Sequence, residues 1–597
     1  MDKKWRASKS SQEIVDKVAS EDRYDWDYHD VDQLQRRLKQ RHVQMCDCCT
    51  FSRIFTMLPL TRLRSLVQSE LASLHQLHLC SLPYAYPGLF LGSGDALRVA
   101  GPLGALVAYT LVASVAYSSL CCIGEMTTWA PISGTFPHYA ARWVDPALGF
   151  AIGWNYFYSN ATSVPVEINA AVILLTFWDK DVNHAAIYTA LIVILVCAIN
   201  IFGVRYFGES EFFFSVTKLL IIIIILFAGL ILDLGGGPSH ERIGFKFWIN
   251  PGAVNRAHLV NDLGADRFLA ILSVVIQAAF SFQGMELVCI AASETESPRR
   301  NIAKAVRRVF YRIVVFYMLG ILIIGMLVPY DNPALLSRVG TAAQSPFVIA
   351  LSSAGVRGSV TLLRHIRILL APKAFPHIVN AVIFTSAFSA ASSTLFCSSR
   401  VLYGLSIRGQ APRFLSYTTK KGLPIAAVLA SSAFALLSFM NISMGAETLT
   451  LIHARSSIGL STSPQLVDSL GGLPLTSYSF SSAYRGMTAQ GFDLKKNIYN
   501  NALQPYLAYW GMGWTVFFIL MNGYAVFFKF NTSIFFTAYI NIPIFAAMYF
   551  GYKILYRTRI WKPLEMDFVT GIPTVEETEL PPDPPVTFLE KVGAALF

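Results

Sequence analysis

The residues best suited to chemistry lie between Gln277 and Arg300, where an apolar run that begins at Phe268 becomes polar. The sequence Ser281–Gly284 precedes a carboxylate, Glu286, and apolar residues then resume. A helix across lipid can leave backbone groups unpaired only where it lines a cavity or is covered by protein. An ionisable residue there costs about 2.5–3.5 kcal/mol on insertion scales, so it indicates a functional site. The pattern predicts a discontinuous membrane helix that binds a solute at its break.

Two further charged side chains stand inside apolar runs. Glu167 follows Pro165 by two residues within Ala147–Trp178, and Lys218 is the only cation of Phe212–Leu234. Such a charge is expensive unless it faces the protein interior. The alternative for Glu167 is a position at headgroup level near the end of its run. The alternative for Lys218 is snorkelling, because six residues of helix place it only about 9 Å from the start of the run.

The other polar positions also have plainer interpretations. Gly284 could kink a packed helix, and Glu286 could form a structural ion pair. Ser386, Ser389 and Ser393 recur at the spacing of one helix face. Small hydroxyl residues commonly mediate helix packing in membranes. A substrate or ion role for Ser389 is therefore one of two alternatives.

The composition identifies the class of protein that must position these side chains. Of 597 residues, 54% are hydrophobic and 14% are charged, whereas a soluble protein carries about 25% charged residues. A membrane-spanning helix needs about 20 mainly apolar residues. The chain is therefore expected to be an all-α integral membrane protein. Ten runs reach this length, and they are Pro102–Gly124, Ala147–Trp178, Ala185–Val204, Phe212–Leu234, Phe268–Ala292, Phe310–Pro329, Pro376–Leu405, Pro424–Met440, Leu507–Phe530 and Ile534–Tyr556.

The net charge of +11 is distributed as in a multi-pass membrane protein, not as on a nucleic-acid-binding surface. Cytoplasmic loops carry an excess of Lys and Arg, and ten spans would place two of the basic clusters outside. One extra crossing at Gly88–Ala100 repairs both positions. A second extra crossing between Met440 and Tyr484 would place the C-terminal tail inside as well, so the charges predict twelve spans. The basic clusters are residues 1–45, Arg299–Arg308, Arg400–Lys421 and Lys553–Lys562.

Three segments interrupt the pattern abruptly, namely residues 46–87, 358–372 and 447–483. The first carries charges too often to cross lipid as one helix, and the second is a basic patch in a loop that the topology places outside. The third is rich in serine where a span is needed. We interpret them as retained introns or frame shifts in the inferred coding sequence, and the alternative is genuine divergence. The remaining divisions are an N-terminal tail over residues 1–45, a membrane domain over 88–556 and a C-terminal tail over 557–597.

The sequence predicts neither a metal, a cofactor nor an enzyme. Cys46, Cys48 and Cys49 form a cluster, but no second pair of Cys or His stands at the spacing of zinc ligands. The nine cysteines do not form a pattern typical of a disulfide framework. No nucleophile–base arrangement stands out.

Four blocks of sequence resemble fungal amino acid permeases of the amino acid–polyamine–organocation superfamily. Together with the spacing of the other runs, they cover most of the chain outside the tails and the three irregular segments. The blocks are GLFLGSGDALRVAGPLGALVAY from Gly88, GEMTTWAPISGTFPHYAARWVDPALGFAIGWNYFY from Gly124, FSFQGMELV from Phe280 and SAFSAASSTLFCSSRVLYGLSIRGQAPRFL from Ser386.

The resemblance implies a LeuT-like fold of inverted five-helix repeats plus two C-terminal helices. Of the twelve spans, ten are clear in this chain, while helix one is truncated to Gly88–Gly92 and helix ten is disrupted. Helices one and six unwind at mid-membrane, where helix N-termini suit a carboxylate and freed carbonyls suit an ammonium. The residues that the resemblance assigns to the substrate are Gly88, Leu89, Gly92, Phe280, Ser281, Phe282, Gln283, Gly284, Glu167 and Ser389.

The resemblance also implies proton coupling. Glu286 is expected to couple the substrate to a proton, and Lys218 resembles a lysine that occupies a sodium position in sodium-coupled relatives. Glu167 lies on the third helix, which lines the pocket in relatives. We therefore expect proton-coupled amino acid uptake across the plasma membrane by alternating access, with both termini cytoplasmic.

The expected partners are an amino acid, protons and the lipid bilayer, without nucleic acid, metal or cofactor. A ubiquitin ligase acting on lysines of the cytoplasmic tails is a further expectation. One alternative is a transporter-like sensor that binds amino acids without moving them. Another is a non-functional product of a permease gene whose introns or reading frame were wrongly assigned.

Overall fold

The computed structural model describes most of the chain between Ser93 and Glu579. The segments 46–87 and 358–372, which the sequence predicts to be irregular, lie outside the described residues. So do the N-terminal tail and the end of the C-terminal tail. The described residues are 93–179, 181–236, 240–282, 286–295, 297–336, 346, 349–350, 375–420, 422–441, 462–493, 497–528, 530 and 532–579.

The described part of the chain is helical, as its composition predicts. Within it, three helical stretches are long and apolar enough to cross a membrane: Ser93–Trp129, Tyr206–Asp233 and His377–Ile407. The helices are α1 (Ser93–Trp129), α2 (Thr135–Trp143), α3 (Pro146–Leu175), α4 (Ala185–Ile201), α5 (Val204–Asp233), α6 (Leu263–Ser281), α7 (Leu287–Ile290), α8 (Pro298–Leu327), α9 (Phe375–Ile407), α10 (Ile425–Ser432), α11 (Thr462–Ala489), α12 (Tyr506–Met521), α13 (Thr532–Tyr539) and α14 (Asn541–Tyr556).

Helix α1 is broken at Gly101, which separates residues 93–100 from the long second part of the helix. Gly101 has φ 75°, a conformation that glycine adopts without steric cost. A Cβ at this position would lie 2.9 Å from the carbonyl oxygen of Ala253. The break frees backbone groups, and the same loop pairs with them: Leu103 N donates to Ala253 O, and Asn255 N donates to Ala100 O. Residues 93–100, the described part of the extra crossing predicted over Gly88–Ala100, form the short helical piece before this break.

The centre of the bundle is the pair α3 and α9, which pack along each other, while α6 and α8 pack on α1. Small residues make the close approach possible. A Cβ at Gly153 would lie 2.6 Å from Leu405, and one at Gly404 would lie 2.6 Å from the Cα of Gly134. Helices in membranes associate by such packing of small residues. The serines of α9 therefore lie at the core of the protein.

Two helices begin where the sequence does not predict them. Helix α5 starts at Val204 rather than Phe212, so the polar sequence before the apolar run is helical as well. Helix α11 covers Thr462–Ala489, so it begins within the segment 447–483 that the sequence predicts to be irregular and continues beyond it. Serine is compatible with that helix because its hydroxyl bonds the preceding turn, as Ser479 Oγ does with Leu475 O over 2.7 Å. Residues 442–461 lie outside the described part.

Residues 557–579 form a strap that lies across the end of the bundle. Trp561 N donates to Val144 O over 2.8 Å, and Arg142 forms an ion pair with Asp567 at 3.1 Å. Burial alone would raise the pKa of Asp567, but the Arg142 guanidinium and nearby backbone N–H groups outweigh it and hold that pKa below its ordinary value. Asp567 is therefore ionised at neutral pH. This part of the predicted C-terminal tail is packed against the helices.

Arg299, at the start of α8, holds the far end of the strap. Its side chain is buried, and its guanidinium donates to Pro573 O, Thr574 O and Thr578 Oγ1. We call the end of the bundle that contains the strap, Arg299 and the nearby Arg400 the basic end.

Replacing Arg299 with alanine should destabilise the protein by about 2–3 kcal/mol, because buried acceptors lose charge-assisted hydrogen bonds. The check is the thermal midpoint of detergent-solubilised protein, followed by size-exclusion fluorescence. Arg559→Ala is the matched control, since that side chain of the strap is 65% exposed and should shift stability by no more than about 0.5 kcal/mol. Equal midpoints for the two variants would show that the strap contributes no stability.

Candidate functional site

The helix that carries the predicted break ends where its sequence turns polar. Helix α6 ends at Ser281, and α7 begins at Leu287. Of the residues between them, 283–285 lie outside the described part. The described residues on either side of 283–285, Phe282 and Glu286, are turns and not helix, at the position where the sequence predicts a solute.

Glu286 faces helix α3. Tyr156 of α3 donates its hydroxyl to Glu286 Oε1 over 3.1 Å, and its ring packs edge-on against Phe136 at 4.8 Å. The carboxylate is half-buried. Glu286 is therefore positioned between the break and the central helix pair.

Phe282 belongs to an aromatic cluster with residues of α1 and α8. Its ring centroid lies 6.2 Å from that of Tyr109 and 5.2 Å from that of Tyr317. All three side chains are buried. Phe282 thus fixes the end of α6 against its neighbours, and any contact with a solute would use the face that this cluster leaves free.

Lys218 lies deep within the bundle. Because α5 starts at Val204, Lys218 is fourteen residues into the helix, about 21 Å from its beginning. The side chain is 0% exposed. Snorkelling, which assumed a helix start at Phe212, is therefore excluded for this residue.

A second carboxylate that the sequence did not single out accompanies Lys218. Glu211 lies seven residues earlier on α5, which is two turns and the same helix face. It is 0% exposed and accepts a short hydrogen bond from Ser389 Oγ of α9. Glu211 and Glu167 of α3 both interact electrostatically with Lys218. Three helices therefore bring together Lys218, two carboxylates and a serine, and we call these four residues the charge cluster.

Several polar atoms in and beside the charge cluster lack a hydrogen-bond partner in the described part of the chain. Among the described residues, Lys218 Nζ, Glu211 Oε1 and the nearby Ser215 Oγ have no hydrogen-bond partner. A buried charge without a hydrogen bond is unfavourable by several kcal/mol. The cluster is therefore suited to gain and lose a proton. In the sequence, Glu211 could have been found from its position seven residues before Lys218. It was not singled out because the apolar run begins at Phe212.

The basic end of the cluster is closed by aromatic rings and an ion pair. Phe207, one turn before Glu211, stacks on Phe396 with centroids 4.4 Å apart. The guanidinium of Arg400 lies 3.9 Å from the Phe396 ring centroid and pairs with Glu294 at 3.1 Å. Both charged side chains are almost fully buried, 4% and 2% exposed. This layer lies one turn from Glu211, on the side of the start of α5.

The other predicted substrate residues lie beyond what the structure describes, either as whole residues or at the side chain. Their contacts with a substrate therefore stay predictions. Among the described residues, no group of three or more His, Cys, Asp or Glu could hold a metal ion. The predicted residues concerned are Gly88, Leu89, Gly92, Gln283 and Gly284, together with the side chains of Phe280 and Ser281.

Comparison with known proteins places the chain among transporters. The amino acid permease family profile matches residues 84–564. The dicarboxylic amino acid permease of Saccharomyces cerevisiae is 34% identical over 491 residues, which is 81% of this chain and 76% of the relative. The proline-specific permease of Emericella nidulans is 37% identical over 494 residues, 81% of this chain and 84% of the relative. A manganese transporter variant from Eremococcus coleocola covers 82% of this chain and 95% of its own, with 14% identity and a TM-score of 0.48.

Proposed function

The chain belongs to the amino acid permease family, and from this premise we propose that it imports amino acids together with protons by alternating access. Its activity as a multi-pass amino acid transporter follows from the family. The observation that supports proton coupling is the burial of Lys218 between Glu211 and Glu167. In a low-dielectric environment a lysine and two carboxylates cannot all change charge independently. Loading or removing one proton therefore changes the electrostatics of all three helices.

The position of Lys218 also favours protons over sodium as the coupling ion. A fixed cation repels a second one at short range, and the effect is strong where water is excluded. Lys218 is fully buried. We therefore expect uptake to be independent of sodium and to rise as the outside pH falls.

The interrupted helix supports the proposed place of the substrate. Helix α6 stops at Ser281 and α7 starts at Leu287, and a break between them would leave backbone groups to an ammonium or a carboxylate. The substrate would bind there through its α-amino and α-carboxylate groups. Phe280–Gly284, with Gly88, Leu89 and Gly92, would supply this backbone, and Glu167 and Ser389 would approach from α3 and α9.

Alternating access requires that the basic end opens and closes. The Glu294–Arg400 ion pair and the Phe207–Phe396 stack join α9 to α5 and to the turn that follows α7. Breaking these contacts would expose the charge cluster to the basic end. We propose that this layer is the inner gate in its closed state.

The placement of the basic residues supports a proposed orientation in the membrane. The strap, Arg299 and Arg400 lie at one end, and such basic segments favour the cytoplasm. We propose twelve spans in the plasma membrane, with both termini cytoplasmic and the lysines of the tails open to a ubiquitin ligase. Epitope tags at either terminus should be protected from an external protease in intact cells.

Glu286→Gln should reduce proton-driven accumulation of amino acid by about tenfold or more, because glutamine cannot carry the proton while it keeps the shape of the side chain. The measurement is the steady-state ratio of radiolabelled substrate inside and outside permease-deficient yeast at low external pH. The relatives are named for dicarboxylic amino acids and for proline, so aspartate, glutamate and proline are the first substrates to test.

Tyr156→Phe is the matched control for this variant. It removes the hydroxyl that donates to Glu286 and leaves the carboxylate, so accumulation should fall by no more than a few-fold, about 1 kcal/mol. Undiminished uphill uptake in Glu286→Gln would remove Glu286 from the coupling role. Binding of amino acid by the wild-type protein without any flux would favour the sensor.

A further inference from the structure

We propose that Glu211 is a further proton-carrying residue of the transport cycle, which takes the proton from Lys218 and releases it at the basic end. This inference rests on the proposed proton coupling. Neither the sequence motif at the helix break nor the resemblance assigns a role to Glu211.

The environment of Glu211 is that of a carboxylate which changes its protonation state. The side chain is 0% exposed, one oxygen accepts from Ser389, and the other has no hydrogen-bond partner among the described residues. Leaving a buried carboxylate oxygen unpaired is costly. A proton on that oxygen, or a water beside it, would relieve the cost, so the site favours a proton that comes and goes.

Of the charged groups around Glu211, only one is placed to supply it with a proton. Within the described part, Lys218 is the only charged group that acts on Glu211. The other helices packed on α5 are α4, α8 and α9. Helix α4 contains no charged residue, and the charged residues of α8 all lie in its first half, towards the basic end. Helix α9 contributes the hydroxyls of Ser389 and Ser393, and its Arg400 is paired with Glu294 at the basic end. Glu167 of α3 acts on Lys218.

The location of Glu211 gives the proton a direction. It lies seven residues nearer the start of α5 than Lys218, about 10 Å along the axis. The next turn carries Phe207, which stacks on Phe396 beside Arg400. Once this layer opens, Glu211 is the carboxylate of the charge cluster that water from the basic end reaches first.

The proposed step conserves charge and protons. An N–H bond of the Lys218 ammonium breaks, its proton passes through an intervening water to the Glu211 carboxylate, and a neutral amine and a carboxylic acid result. The carboxylic acid then gives its proton to water at the basic end, which restores the carboxylate. Ser389 holds the carboxyl group in place through this exchange.

Two assays on the full-length protein in proteoliposomes test this role. The first measures exchange of radiolabelled for unlabelled substrate without a gradient, and the second measures net uptake driven by an imposed pH gradient. Glu211→Gln keeps a polar side chain that can accept from Ser389. It should retain exchange within about twofold and lose gradient-driven uptake by about tenfold or more, since proton transfer through a positioned side chain contributes at least that much.

The matched control is Glu241→Gln, which alters an exposed carboxylate of a loop, and Ser389→Ala is a second test variant. The first should leave both assays unchanged. The second should shift the pH dependence of net uptake, because it removes the hydrogen bond to Glu211.

Retained gradient-driven uptake in Glu211→Gln would overturn the inference and leave the proposed function intact. Loss of exchange as well, in protein with a normal size-exclusion profile, would also overturn it, because Glu211 would then serve the whole cycle and not proton release. If the wild-type protein itself showed no gradient-driven uptake, the proposed proton coupling would fail.

Discussion

Lys218→Met is expected to abolish proton-driven accumulation of amino acid, with a loss of about a hundredfold or more in net uptake, the scale of a lost acid–base group. Methionine fills a similar volume but carries no charge, so Glu211 and Glu167 lose the cation with which they interact. The carboxylates would then hold their protons throughout the cycle, and substrate movement would no longer be linked to proton release. The measurement is uptake of radiolabelled substrate as a function of external pH in permease-deficient yeast.

Lys246→Met is the control for this substitution, because that lysine lies outside the long helices and away from the charge cluster. The Lys246→Met protein should match the wild type in its rate of uptake and in the pH dependence of that rate. Surface abundance of both variants must be measured in the same cells. Uphill, pH-dependent uptake by a normally expressed Lys218→Met protein would show that the charge cluster is structural.

Arg400→Gln is expected to destabilise the protein by about 3–5 kcal/mol, the usual cost of removing one partner from a buried ion pair. Arg400 and Glu294 are 4% and 2% exposed, so bulk water cannot readily solvate the remaining carboxylate. The guanidinium also loses its contact with the Phe396 ring. The thermal midpoint in detergent should fall by many degrees.

The double variant Glu294→Gln/Arg400→Gln should recover part of this loss, because neither side chain then carries an unpaired charge. A coupling free energy of about 0.5–3 kcal/mol is the range expected for residues in direct contact. Additive effects of the two substitutions would contradict the assignment of this pair to a closed gate. The destabilised single variant should also show faster exchange if the pair holds the basic end shut.

Much of the fold could be predicted from the sequence because lipid imposes simple rules on it. Apolar runs, basic clusters and the polar interruption after Phe268 indicate a helical membrane protein with a broken helix, and α6 does end at Ser281. The charges predict a crossing between Met440 and Tyr484, but hydropathy did not locate the helix that starts at Thr462, since serine-rich sequence resembles a loop when only hydropathy is considered. In the structure, part of α11 packs on other helices, where serine is well tolerated.

The charge cluster was predicted only in part, and for a physical reason. Lys218 and Glu167 stand out because each interrupts an apolar run, whereas Glu211 lies just before one and looks like a residue at a helix end. Its burial depends on α9, which is distant in sequence and contributes the hydroxyl of Ser389. Likewise, the strap is polar and follows the last span, so nothing in its pattern shows that Arg142 and Arg299 hold it.

Proton movement during transport by the purified protein is the decisive observable. Proteoliposomes containing a pH-sensitive dye and no sodium would be given substrate outside, and internal pH would be followed for the wild type and for Lys218→Met. We expect substrate-dependent acidification in the wild type and none in the variant. Uptake of substrate by the wild type with no change in internal pH would show that transport is not coupled to protons.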